Sequence, residues 1–210
     1  MAQEVLSVRE RSSYSTENVE RQSTKTTGGA TEAGYSETLK RSILSYEHGQ
    51  RQEKDEALAF YDDAGNQMAR IQGKGQRVPV RKEDVPGQDL IMTHNHPASL
   101  GASGYMRIGS SFSMDDMVLA VKFKAKEMRA VTPTYTFSIK RPKGGWNATQ
   151  AAVKRAYAKA QEQVLSEGQD YSDRVGYSQT VDNRYTITYW HKVNKLVAKE
   201  FGWNYSKKKG

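Results

Sequence analysis

His94 and His96 are the residues of this 210-residue chain best placed to do chemistry. They stand two positions apart, just after the apolar run Leu90-Ile91-Met92, which reads as a short buried strand. In an extended segment, residues i and i+2 project from the same face. Both imidazoles can therefore reach one metal ion while Asn95 points away. Pro97 ends the ladder, which puts the pair at the mouth of the strand. Downstream, Ser113-Met114-Asp115-Asp116 opens an amphipathic stretch with acidic residues in its first turn, the signature of a helix start. A carboxylate there can supply a third ligand, and two His with one carboxylate and an open fourth position is a catalytic zinc pattern. An isolated His-x-His is common in turns and on surfaces. What sets this one apart is the strand before it, the proline after it and the Ser-x-x-Asp beyond. Ser113 has a second role available, as the N-cap of the helix.

The combination His94-Asn95-His96-Pro97 followed by Ser113-x-x-Asp116 resembles the JAMM signature of JAB/MPN-type metalloproteins, in which a glutamate precedes the two motifs. The resemblance covers roughly residues 53–140 and leaves out both ends. It implies that His94, His96 and Asp116 hold Zn2+, that an upstream glutamate is the general acid/base for the attacking water, and that Ser113 helps to stabilise the oxyanion. Glu56, immediately before the apolar stretch Ala57-Leu58-Ala59-Phe60-Tyr61, fits that glutamate best, and Glu53 is the runner-up. His96 and Asp116 lie 20 positions apart, longer than the family's usual spacing. The excess is rich in Gly and Ser (99–104) and reads as a loop inserted over the site, a lid or flap carrying Tyr105 and Met106. Asp115 is the fallback for the third ligand.

The activity so implied is zinc-dependent hydrolysis of a peptide or isopeptide bond, with a protein or peptide as substrate. The chain is also similar to JAB-like modules of phage and mobile-element proteins that lie next to head-assembly segments. That likeness implies a phage or structural protein partner, and a place in the cytoplasm of a bacterial host or in the virion. A catalytically inactive JAB-like scaffold or assembly protein is the alternative.

Composition sets the wider limits. With 36% hydrophobic and 27% charged residues, the chain can build one modest core. No apolar run approaches the length of a membrane span, and the first residues lack the apolar centre of a signal peptide. The absence of Cys excludes disulfides and thiolate metal sites, so any metal must use His and carboxylates. A net charge of +8 admits nucleic acid as a partner, but the positive residues are dispersed, which argues against specific nucleic-acid binding.

The elements that must position the site are those of an α/β protein: a mixed β-sheet flanked by helices, JAB/MPN-like, with a mobile N-terminal segment and a helical C-terminal extension. Residues 1–36 are polar and Gly-rich and should be mobile, residues 37–142 form the metal-binding domain, and residues 143–210 form the helical extension. Within the domain we expect a helix over 37–50 with Leu39, Ile43, Leu44 and Tyr46 on its apolar face, and His48 exposed beyond it. Strands follow at 56–63 and 68–71, joined by the turn Asp62–Asn66. Gly73 and Gly75 read as a turn, Val78-Pro79-Val80 as a short edge segment and Pro86-Gly87 as another turn. A helix over 114–130 should use Met117, Val118, Val121, Ala125 and Met128, with Lys122, Lys124, Lys126 and Arg129 as a solvated basic face. Two strands are expected around Thr132-Pro133-Thr134. Helices are expected over 147–167, capped by Asn147, and over 184–201, stopped by Gly202. Residues 168–183 read as a loop and Lys207-Lys208-Lys209 as a solubilising tail. His191 has no ligand partner at i+4, where Lys195 stands. Trp190, Phe201, Trp203 and Tyr205 form an aromatic end suited to packing or to a protein contact.

Overall fold

A computed structural model describes residues 34–97, 110–175 and 179–210, with side chains throughout these ranges except 169–187. The N-terminal residues 1–33 and most of the Gly/Ser-rich insertion lie outside the described residues. The fold class is the expected one: a six-stranded mixed sheet with helices on both faces. The strands are β1 (Ala57–Tyr61), β2 (Gln67–Gln72), β3 (Ile91–Asn95), β4 (Glu127–Val131), β5 (Tyr135–Lys140) and β6 (Asn204–Lys209), in the spatial order β2-β1-β3-β4-β5-β6. All neighbours are antiparallel except β3 and β4. A parallel pair needs a crossover, and the 114–122 helix lies in the connection from β3 to β4.

Strand β1 is buried at all five positions because its two faces meet different layers. Leu58 and Phe60 join Met92, Met128, Ala130, Phe137 and Ile139 in the main core, against α2 (Met114–Lys122), α3 (Gln150–Val175) and α4 (Gln179–Phe201). Ala59, Tyr61 and Ile91 face the opposite way and pack on α1 (Glu37–Gln50). Ser36 caps α1 by accepting a hydrogen bond from the Leu39 amide at 3.1 Å. Its buried face is Leu39, Ile43 and Glu47, whereas Leu44, expected on that face, is 48% exposed. Tyr35 donates a hydrogen bond to Glu127 at 2.6 Å. Tyr35 and Ser36 thus belong to the folded unit, although composition alone carries the mobile segment through 36.

Several expected boundaries move. The helix expected over 114–130 ends at Lys122, with Lys124 at φ 52 turning the chain into β4. Ala125 and Met128 keep the helical spacing alive in the sequence, but Met128 is a core residue of a strand. Arg129 is correspondingly not on a solvated basic face; it is buried between Glu47 and Glu127. Val78-Pro79-Val80 forms no strand, and the pairing nearest to it among the described residues is the bridge of Lys74 with Arg77. Helix α3 runs on to Val175 and α4 starts at Gln179, so most of the loop expected over 168–183 is helical. Thr149, and not Asn147, caps α3, accepting from the Ala152 amide at 3.2 Å. Asn147 instead ties the far end of α4, donating to the Phe201 carbonyl and accepting from the Trp203 indole.

Gly202 does stop α4. At φ 67 it takes the left-handed conformation, its amide donating to Lys199 O while the Trp203 amide donates to Ala198 O. This is a Schellman motif, and it turns the chain back along the sheet. Residues 204–209 then form β6 beside β5, so Lys207-Lys208-Lys209 is an edge strand and not a loose tail. Lysines on an outer strand discourage pairing with a further chain. The 143–210 segment is mostly helical, as expected, and it also completes the sheet and the main core. No described helix is long and apolar enough to cross a membrane.

Candidate metal centre

Three separate segments build the site. Strand β3 delivers His94 at its penultimate residue, and His96 follows one residue beyond the strand end. The His96 amide donates to Val131 O on β4 at 2.7 Å. The two Nε2 atoms lie 2.9 Å apart. Helix α2 delivers Asp116 from its first turn, with Oδ1 3.3 Å from His94 Nε2 and Oδ2 3.5 Å from His96 Nε2. Glu56, just ahead of β1, completes the group: one ligand atom from each of Glu56, His94, His96 and Asp116 lies within 4.8 Å of the others.

Ser113 is the N-cap of α2 and forms a capping box with Asp116. Its amide and its hydroxyl both donate to Asp116 Oδ2, at 2.7 and 2.8 Å, and its oxygen accepts from the Asp116 amide. The cap therefore also orients the carboxylate. The expected alternatives fall elsewhere: Glu53 and Asp115 are exposed and outside the group. His48 is exposed and lines a cavity on the α1 face of the sheet, away from the site.

The donor set fits a divalent cation such as zinc. Bonds of about 2.0–2.1 Å in a tetrahedral site hold ligand atoms about 3.3 Å apart, close to the separations of 2.9, 3.3 and 3.5 Å found here. His96 Nδ1 lies 2.7 Å from Ser110 O. Only a protonated Nδ1 can donate to a carbonyl, so the neutral ring, the form that binds a metal, would carry its lone pair on Nε2, towards the group. Supporting hydrogen bonds are thus in place for His96 and Asp116. His94 Nδ1 is buried without a hydrogen-bond partner among the described residues.

The charges reinforce one another. Burial pushes Asp116 up, but the charges and hydrogen bonds of His94 and His96 override it and hold the carboxyl well below its usual range. Burial would lower His96, yet the hydrogen bond and charge of Asp116, with the charge of Glu56 and the Ser110 carbonyl, raise it to about 9. Glu56 is raised, chiefly by burial, with Asp116 adding to the shift and the two histidines opposing it.

Two features lay outside the reach of the sequence. One is the set of bonds that holds residues 110–113 against the C-terminal elements. Phe112, fully buried with its ring centroid 6.3 Å from that of His94, has its carbonyl bonded by Tyr157 and Asn194, both at 2.9 Å. Ser111 bonds Tyr205 at 2.8 Å, and that hydroxyl lies 2.9 Å from His191 Nδ1. The other is the Asn95 side chain, whose partners stand about forty residues earlier.

Burial, with help from Lys207 and Lys195, lowers His191 from 6.5 to about 4. A group whose folded value lies below its unfolded one contributes stability that is full above pH 6.5 and is lost as pH falls towards 4. His191→Gln keeps a polar partner for Tyr205 and cannot titrate. It should lose less stability than the wild type over that interval, read as urea midpoints at matched ionic strength; parallel curves would show that His191 does not contribute.

Fold and site together define an α/β protein in which two histidines and an aspartate cluster beside a buried glutamate. No family model, curated protein or solved structure matches this chain.

Proposed function

We propose that the chain is a zinc-dependent hydrolase of the JAMM type that cleaves a peptide or isopeptide bond in a protein substrate. The observation that carries this reading is the convergence of Glu56, His94, His96 and Asp116 from three segments far apart in sequence. His94, His96 and Asp116 hold the ion. Bound there, zinc supplies Lewis acidity, polarising a carbonyl and making water a nucleophile near neutral pH. Glu56 takes the proton of the attacking water and passes it to the leaving nitrogen. Ser113 fixes Asp116; the oxyanion role would require its hydroxyl proton to turn from Asp116 Oδ2 to the substrate. The bacterial-host setting, the virion and a phage partner belong to the same proposal and rest on the motif alone.

Metal content is the direct test. Elemental analysis of the purified protein should find one zinc per chain, and Asp116→Ala and His94→Ala should bring it close to zero while circular dichroism stays that of a folded protein. Unchanged zinc in both variants, or none in the wild type, would sink the proposal. Bound zinc without hydrolysis of any protein would leave the scaffold reading standing.

A further inference from the structure

We infer that Asn95, the residue between the two histidines, is a positioning residue for Glu56. This role rests on the hydrolase reading above and deepens it. The ladder between β1 and β3 starts at Leu58 and His94, so the chain at 55–57 lies beyond the last paired position. There the Asn95 side chain substitutes for the missing strand. Its Oδ1 accepts from the Ala57 amide at 2.8 Å, and its Nδ2 donates to the Asp55 carbonyl at 3.1 Å. The two bonds bracket Glu56 on either side.

On the opposite edge, the Glu56 amide donates to Gly75 O at 2.7 Å and its carbonyl accepts from the Gly73 amide at 2.8 Å. A Cβ on Gly73 would come within 2.7 Å of that carbonyl and 2.1 Å of Arg77 O, so only glycine admits this approach. The Glu56 backbone is thus held from both sides, by a glycine turn and by one carboxamide. Asn95 is 1% exposed, and its bond to the Ala57 amide is buried, so truncating the side chain leaves that amide without its acceptor.

The alternation of β3 explains the arrangement. His94 and His96 point to the metal side, and the residue between them points to the neighbouring chain. One tripeptide thereby supplies two ligands and fastens the segment that carries the acid/base. Asparagine meets the requirement because it offers one donor and one acceptor on the same short arm. Aspartate of the same shape keeps the bond to Ala57 but sets a second oxygen against the Asp55 carbonyl.

The test uses the full chain loaded with Co(II) in place of zinc and carrying 13C-labelled glutamate carboxylates, with the Glu56 signal assigned through Glu56→Gln. In the wild type, the imidazole signals of His94 and His96 should be hyperfine-shifted and the Glu56 carboxylate strongly broadened. In Asn95→Ala and Asn95→Asp, the imidazole signals should persist while the Glu56 broadening falls several-fold. If the alanine variant does not fold, the isosteric aspartate variant decides. Glu56 broadened as in the wild type, or loss of the imidazole signals along with it, would overturn the assignment and leave Asn95 with a general structural role. A wild-type chain that takes up no cobalt would bring down the proposed function itself, which is a distinguishable result.

Discussion

Glu56→Gln should lower kcat by about 10²–10⁴-fold, the range for loss of a positioned general acid/base, and should leave the zinc content of the protein unchanged. Glutamine keeps the length of the side chain and the backbone bonds to Gly73 and Gly75. It cannot accept a proton from the attacking water, and it cannot deliver one to the leaving nitrogen. His94, His96 and Asp116 approach one another within 3.5 Å, each histidine facing one Asp116 oxygen, so the ion should not depend on Glu56. Burial raises the Glu56 carboxyl above its ordinary value, with Asp116 adding to the shift and the two histidines opposing it. Parallel measurements of bound zinc and of turnover on a protein substrate decide the matter. Zinc lost together with activity would make Glu56 a fourth ligand and close the open position. Unchanged turnover would remove it from the chemistry.

The site is more legible in the sequence than the fold around it, for a physical reason. The clustered side chains are fixed by short periodicities that local backbone dictates: two residues along a strand for His94 and His96, and three along a helix cap for Ser113 and Asp116. Glu56 is readable only because an apolar run begins at the next residue. The errors come where tertiary pairing overrides local pattern. Ala125 and Met128 prolong the spacing of α2, yet Lys124 at φ 52 has already turned the chain, and Met128 pairs between Met92 and Ile139 in the sheet. Lys207-Lys208-Lys209 looks like a tail because nothing nearby signals a strand; β5, about seventy residues earlier, supplies its partner. The polar 168–183 stretch contains no proline, so helix is open to it, although its polarity and its two glycines, Gly168 and Gly176, suggest a loop. Strand alternation turns Asn95 away from the metal, as expected, but does not reveal that the bonds it makes instead lie on residues 55 and 57.

The other large effect expected is on stability. Arg129→Met should cost about 3–5 kcal/mol, the usual loss when one partner of a buried ion pair is removed. Arg129 is 5% exposed and grips Glu47 with two bonds, Nε to Oε1 at 2.6 Å and Nη2 to Oε2 at 3.0 Å, while Nη1 donates to Glu127 at 2.9 Å. Glu47 and Glu127 are 1% and 0% exposed, so methionine would leave two buried carboxylates side by side, with Lys140 at 3.7 Å from Glu127. Burial alone would raise Glu127, but Arg129 and Lys140, with the hydrogen bonds of Ser138 and Tyr35, hold it below 4.5. In the wild type its contribution is therefore present above pH 4.5 and is lost as pH falls through the folded value. In the variant the burial effect is no longer outweighed by Arg129, Glu127 takes up a proton more readily, and the deficit should narrow as pH falls from 7 towards 5. Urea unfolding of both proteins over that range reads the difference; a loss under about 1 kcal/mol at pH 7 would mean that the layer is hydrated and the pair weak. Arg129→Lys should fall between, since an ammonium cannot grip Glu47 with two parallel bonds. The same layer reaches the site from behind: Thr93, next to His94 on β3, donates to Glu47 at 3.0 Å. Arg129→Met should therefore also weaken zinc binding, although no atom of Arg129 belongs to the metal cluster.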